Sequence, residues 1–275
     1  MDMKENFLEG KGVLITGGAS GFGRGVAYAL AEQGANLVLV DINQQLLEDT
    51  AEKIRKKTGR TVIPLTCDVS KSDQVEAMAK QAFKELENVF VLFNNAGIGV
   101  SYGRNICRVK EADWDKIMDV NLKGQWLVAK SLWRKMKAQK FEGEELAGKM
   151  INTSSEAGLN VDPMIPAYSI TKAGIIALTQ LLAKSLAPNI TVNSIAPGFH
   201  VTGVYLNDEE AMRVTMRDGK VKIPQVRIGT VDDVVNLVVF LASPSSNYIT
   251  GHCFPIDGGT VEVGVPPHKL KEVEY

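Results

Sequence analysis

The stretch from Gly12 to Asp41 constrains this chain more than any other. An apolar run, Gly12-Val13-Leu14-Ile15-Thr16, breaks into glycines at Gly17, Gly18, Gly21 and Gly23. It continues as a helical pattern with Val26, Ala27, Leu30 and Ala31 on one face. Gly34 stops that helix, being a residue suited to the left-handed position just past a helix end. A second run, Asn36-Leu37-Val38-Leu39-Val40-Asp41, follows at once and is apolar on both faces. Strands of that kind belong in a parallel sheet covered on both sides, not in a half-exposed antiparallel one. Strand, helix and strand with such short connections define a βαβ unit.

The rhythm persists. Helices are expected over 42–58, 70–86 (with Ser70 and Asp73 placed to cap), 111–137, 166–187 and 230–242, the last capped by Thr230. Strands are expected over 61–66, 89–93, 149–153, 190–195 and 253–256. The fold class is therefore α/β, a single doubly wound parallel sheet of the Rossmann type with helices on both faces. One domain over 1–275 is the economical reading, with a core of about 11–259. Residues 199–228 form a long insertion that mixes apolar and charged side chains and reads as a lid. The tail, 260–275, reads as extended beyond Val265.

Composition excludes several functions. Thirty-one basic against 32 acidic residues give a net charge of −1, which offers nucleic acid or an anionic membrane no basic patch. Cys67, Cys107 and Cys253, like His200, His252 and His268, are scattered, so neither a disulfide framework nor a metal site is expected. The polar N-terminus lacks a signal-peptide core, and no run approaches the ~20 apolar residues of a membrane span. A cytoplasmic protein is expected.

The glycine turn lies where a strand becomes a helix, so its free N–H groups and the positive end of the helix dipole suit a pyrophosphate. Gly17, Ser20, Gly21, Phe22 and Gly23 are its candidate contacts. Asp41, at the end of the second strand and about 20 residues on, is placed to accept from the ribose hydroxyls of a dinucleotide. A carboxylate there repels a 2′-phosphate, and neither Ser20 nor Ile42 supplies a cation. The expected cofactor is NAD.

Tyr168 and Lys172 stand at i and i+4, one above the other on a helix. A phenol titrates near ~10. A neighbouring ammonium favours the phenolate and lets the tyrosine exchange a proton near neutral pH. Asn121 interrupts a helical pattern with a residue that disfavours helix interiors.

Taken in order, Thr16 to Gly23, Asn94-Asn95-Ala96-Gly97, Asn121, Ser155, Tyr168-x-x-x-Lys172 and Pro197-Gly198 resemble the short-chain dehydrogenase/reductase family from about Lys11 to Gly259. The resemblance implies that Asp68 and Val69 hold the adenine and that Asn95 lines the ribose side. It gives Pro197, Gly198, His200 and Thr202 to a loop around the nicotinamide carboxamide, leaving the His200 side chain to face substrate or solvent. Ser155 would bond the reacting oxygen, with Ser154 pointing the other way. Tyr168 would carry the proton, Lys172 would tune it and bond the ribose, and Asn121 would mark a kink that holds a water on the proton path. It also implies a homotetramer or dimer, with the helices over 111–137 and 166–187 at a two-fold axis.

Glu156 departs from the commoner pattern, since apolar residues are usual there. Pairing with a cation such as Lys123 or Arg104 is the expectation, with a polar substrate as the alternative. The reading as a whole is an NAD-dependent oxidoreductase interconverting a secondary alcohol and a ketone. Its substrate pocket would be walled by 159–165, 99–108 and 199–228. A non-catalytic NAD-binding regulator and a carrier-linked 3-oxoacyl reductase are the rivals.

Overall fold

The computed structural model describes residues 6–99, 105–200 and 223–264. Seven parallel strands form one sheet in the order β3-β2-β1-β4-β5-β6-β7. They are β1 (Gly12–Thr16), β2 (Asn36–Asp41), β3 (Val62–Thr66), β4 (Val91–Asn94), β5 (Gly148–Thr153), β6 (Ile190–Pro197) and β7 (Cys253–Ile256). The expected Rossmann-type sheet is present. Strand order reverses between β1 and β4, and the carboxyl ends of those two strands open the crevice where such sheets bind ligands.

Alternate residues of each strand enter opposite cores, as the pleat requires. Val13, Ile15, Leu37, Leu39 and Phe93 pack with α1 (Gly21–Glu32), α2 (Gln44–Thr58) and α8 (Val231–Ala242) on one side. Leu14, Val38, Val40, Leu92 and Met150 pack on the other with α3 (Ser72–Leu86), α5 (Gly124–Ala138) and α7 (Pro166–Leu186). Burial on both faces is what the unbroken apolar runs encode.

Helix ends follow local chemistry. Asn43 Oδ1 accepts from the Leu46 N–H at 3.1 Å to start α2, and Gly59 ends it at φ 70°. Asp233 Oδ2 accepts from the Thr230 N–H at 2.7 Å at the start of α8, while Arg227 forks onto the same carboxylate. Ser70 does not cap α3. Its hydroxyl donates to Asp68 Oδ1 at 2.7 Å, and Lys71 takes the cap position with no side-chain bond.

The helix expected over 111–137 is three pieces: α4 (Glu111–Ile117), a π-helical segment (Met118–Lys123) and α5. Within the π segment the Gly124 N–H reaches back to the Asp119 carbonyl, one residue further than α-helical bonding. The cause is Asn121, fully buried, whose side chain grips the backbone after β4. Its Oδ1 accepts from the Ile98 N–H at 2.8 Å, and its Nδ2 donates to the Ile98 carbonyl at 3.1 Å. A short helix that the periodicity did not announce, α6 (Glu156–Leu159), follows β5. No helix among the described residues is long and apolar enough to cross a membrane.

Candidate active site

A cleft of about 710 Å³ runs along the carboxyl ends of the strands. At one end lie Gly17, Ser20, Gly21, Phe22, Asp41 and Asn95. At the other lie Ser155, Glu156, Asp162, Tyr168 and Lys172, with Pro197, Gly198 and His200 alongside. Residues far apart in the chain are thus brought to one groove. Gly23, Ile42, Asp68, Val69 and Asn121 do not line it, and Thr202 lies outside the described residues. Ile42 is 69% exposed, Val69 packs in a core, and Asp68 accepts from the backbone and hydroxyl of Ser70.

The glycine turn is shaped by close backbone approach. Gly17 sits at φ 67°, and a Cβ at Gly23 would collide with the Gly17 carbonyl oxygen. Asn95 pins the turn from β4, with Nδ2 donating to the Thr16 carbonyl at 3.1 Å. Ser20 precedes α1 without a side-chain cap bond, so the first-turn N–H groups of that helix are left for a ligand. Asp41 Oδ2 accepts from the Ala19 N–H at 3.1 Å, and Oδ1 accepts from the Asn43 N–H at 3.1 Å. The carboxylate is thereby held at the rim of the turn. These residues fit a dinucleotide: a helix N-terminus for its phosphates and a fixed acceptor for its ribose.

At the opposite end, Lys172 is 3% exposed, and its ammonium donates to the Thr153 carbonyl at 2.9 Å. Burial pulls its pKa down to about 8, so it still carries a proton at neutral pH. Nζ lies 5.3 Å from the centre of the Tyr168 ring. Ser155 Oγ accepts from the Ala157 N–H at 3.2 Å and faces the Pro197 carbonyl. Ser154 points away, as expected, donating to the Lys172 carbonyl at 2.7 Å. Asn121 and Lys172 meet beside Gly97, where a Cβ would stand 3.3 Å from Asn121 Oδ1 and 3.8 Å from Lys172 Nζ.

One expectation needs correction. Lys123 does not pair with Glu156; it pairs with Asp119 at 3.0 Å, one helical turn before it. Arg104 lies outside the described residues. Glu156 instead sits near the carboxyls of Asp257 and Asp162, its Oε2 buried without a hydrogen-bond partner among the described residues. Burial first, then the charges of Asp257 and Asp162, push its pKa up to about 7. Of the two directions left open for the His200 side chain, it takes the cleft wall and not solvent. It is 5% exposed, with Nδ1 3.0 Å from the Gly198 carbonyl oxygen and its ring edge-on to Phe22 at 5.3 Å. Desolvation lowers its pKa.

Sequence reasoning also missed Thr260 and Val261, which line the cleft; the segment from Val265, expected to be extended, lies outside the described residues. The Val261 N–H donates to Asp257 Oδ2 at 2.8 Å. The aspartate–glycine–glycine turn before them, Asp257-Gly258-Gly259, was the available signal.

Comparisons with known proteins agree with this geometry. The family pattern described as Enoyl-(Acyl carrier protein) reductase matches residues 17–261. The 3-oxoacyl-[acyl-carrier-protein] reductase FabG of Thermotoga maritima is 36% identical over 255 residues, covering 92% of this chain and 99% of that protein. A short-chain type dehydrogenase/reductase from Mycobacterium marinum superposes with a TM-score of 0.84 at 33% identity, over 93% of this chain and 97% of that one. NAD+-bound xylitol dehydrogenase gives 0.82 at 28% identity, over 92% and 99%. The chain belongs to the short-chain dehydrogenase/reductase family, whose oxidoreductases bind a nicotinamide cofactor.

Glu156 makes a prediction about stability. Its folded pKa of about 7 lies above its ordinary 4.5, so the folded state holds the extra proton between those values. The associated stability is complete below about pH 4.5 and is lost as pH rises through about 7. Urea unfolding across this range is expected to show the wild type losing stability relative to Glu156→Gln. A constant difference between the two proteins would contradict the shift.

Proposed function

We propose that this protein interconverts a secondary alcohol and a ketone with NAD(H). The observation that carries the reading is one cleft lined at one end by the glycine turn and Asp41, and at the other by Ser155, Tyr168 and Lys172. When bound, the nicotinamide supplies the hydride acceptor or donor. Ser155 holds the substrate oxygen by a hydrogen bond. Tyr168 takes the hydroxyl proton during oxidation and returns it during reduction. Lys172 lends its positive charge to the phenol, and Asn121 holds the loop around Gly97 beside that ammonium.

Tyr168→Phe is expected to cost at least about 10²-fold in kcat/KM while cofactor binding survives. Lys172→Met is expected to weaken both activity and NAD+ binding. Its residual oxidation should shift to higher pH, because the phenol returns toward ~10. Steady-state rates against pH and NADH fluorescence titrations check this. A Tyr168→Phe enzyme retaining a tenth of the activity would place the proton transfer elsewhere.

Asp41 carries the choice of cofactor. Its fixed carboxylate repels a 2′-phosphate, and the exposed Ile42 beside it adds no cation. Preference for NAD+ over NADP+ is expected to reach at least about tenfold in kcat/KM, and Asp41→Ala with Ile42→Arg is expected to reverse its direction. Equal use of both by the wild type would remove this reading.

The Thermotoga relative's name favours a second reading, reduction of a carrier-linked 3-oxoacyl substrate. NADPH-dependent reduction of a 3-oxoacyl thioester, faster than any alcohol is oxidised, would establish it over the first. A regulator without catalysis would turn over neither. We further propose a homotetramer. Trp126, Ile170 and Leu181 are exposed on α5 and α7, the helices expected at a two-fold axis. Light scattering at micromolar concentration is expected to return the mass of four chains, and a monomer mass would overturn this.

A further inference from the structure

Glu156 stands beside Ser155 at the substrate end of the cleft, and among the described residues its carboxyl makes no hydrogen bond there. Asp257 uses both its oxygens on its own turn, accepting from Gly259 N–H at 2.9 Å and from Val261 N–H at 2.8 Å. Asp162 accepts from Met164 N–H at 2.8 Å. Glu156 Oε2 is shielded from solvent and has no hydrogen-bond partner among the described residues, while the residue as a whole is half-buried and lines the cleft. A Cβ on Gly198 would stand only 2.7 Å from that oxygen, so the carboxyl lies against the loop that follows β6. Ser155, the Pro197–Gly198 turn and Glu156 thus surround one region of the cleft.

The charges nearby restrict what can occupy that region. Among the described residues, the charges that act on Glu156 are those of Asp257, just past β7, and Asp162, after α6, and neither is a cation. Lys172 is the only lysine or arginine among the described lining residues, and its ammonium is tied to the Thr153 carbonyl. Among the described residues, an anionic substituent would meet carboxyls and no free cation here. A plain acyl or alkyl chain would cover the half-buried, cleft-lining Glu156 carboxyl without giving it a polar partner, which is unfavourable. A hydroxyl group satisfies the carboxyl in either protonation state, since it both donates and accepts. With a pKa near 7, Glu156 can itself donate or accept at neutral pH.

We propose that Glu156 is a specificity-determining residue that hydrogen-bonds a hydroxyl on the carbon next to the reacting one, so that vicinal diols and α-hydroxy ketones are the substrate class of this cleft. The inference rests on the alcohol–ketone reading above and narrows it. A site built to bond a substrate hydroxyl discriminates strongly against the analogue lacking it, because its own polar group is then stranded.

The test compares trans-1,2-cyclohexanediol with cyclohexanol, and 2,3-butanediol with 2-butanol, as substrates with NAD+. Wild type, Glu156→Gln and Glu156→Leu are measured, with melting curves to check folding. The wild type is expected to favour each diol over its mono-alcohol by at least about tenfold in kcat/KM. Glu156→Leu is expected to lose that preference to within about twofold, through a fall in diol turnover far larger than any change with the mono-alcohol. Glu156→Gln, which keeps an acceptor and similar size, is expected to retain part of it. A diol preference that survives in Glu156→Leu overturns the proposal, as does a wild type that oxidises diol and mono-alcohol equally. If Tyr168→Phe still abolishes turnover in either case, the general reading stands and only Glu156's role falls. Absence of NAD+-dependent oxidation of all four alcohols defeats both. Should neither variant fold, the wild-type ratio alone decides.

Discussion

A buried ammonium holds the chemical end of this molecule together. Lys172 is nearly enclosed by protein, and an isolated charge there would be costly unless paired or hydrogen-bonded. Its partner is a main-chain carbonyl, Thr153, at the last residue of β5. The same carbonyl accepts from Gln125 Nε2 of α5 at 3.1 Å, and Ser154 returns a bond to the Lys172 carbonyl. Strand β5, α5 and α7 are thereby locked around one cation. Desolvation lowers its pKa only to about 8, leaving it charged where the proposed chemistry needs it. Removing the cation would therefore disturb packing as well as proton transfer, whereas the neutral change Tyr168→Phe leaves this network alone.

The cleft also carries carboxyls at both its ends, and they behave differently because their surroundings do. Asp41 is held by two backbone N–H groups at the rim of the glycine turn. Glu156 has burial and two like charges, so its proton is retained to about pH 7. Like charges brought together at a cleft are not a packing solution, and polar groups left unpaired cost stability. Such a feature points to a ligand more than to the fold. The Phe22–His200 ring contact joins the glycine turn to the loop after β6.

Much of this was legible without coordinates, for identifiable reasons. The Gly12–Asp41 unit is readable because both faces of its strands are buried, which leaves the apolar run unbroken. Tyr168 and Lys172 are readable because helical spacing alone puts them on one face. Asn121 is readable as an interruption, although its cause, the grip on Ile98, is a contact across the fold. Expectations failed where a side chain had a nearer partner. Ser70 turned to Asp68, and Lys123 turned to Asp119 one turn earlier.

Local pattern by itself determined the strands, the helices, the glycine turn, the acidic residue that ends β2 and the Tyr–Lys pair. Each depends on periodicity or on residues a few positions apart. Only the tertiary structure decided what Glu156 and His200 face. Glu156 meets Asp257, distant in the chain, because β5 pairs with β6 and β6 pairs with β7 in a register that sets Pro197 beside Ile256. That register puts the residues just past three strand ends around one cavity. No local rule encodes such a meeting, since pairing partners are chosen by burial of whole strands and not by the polar residues at their tips.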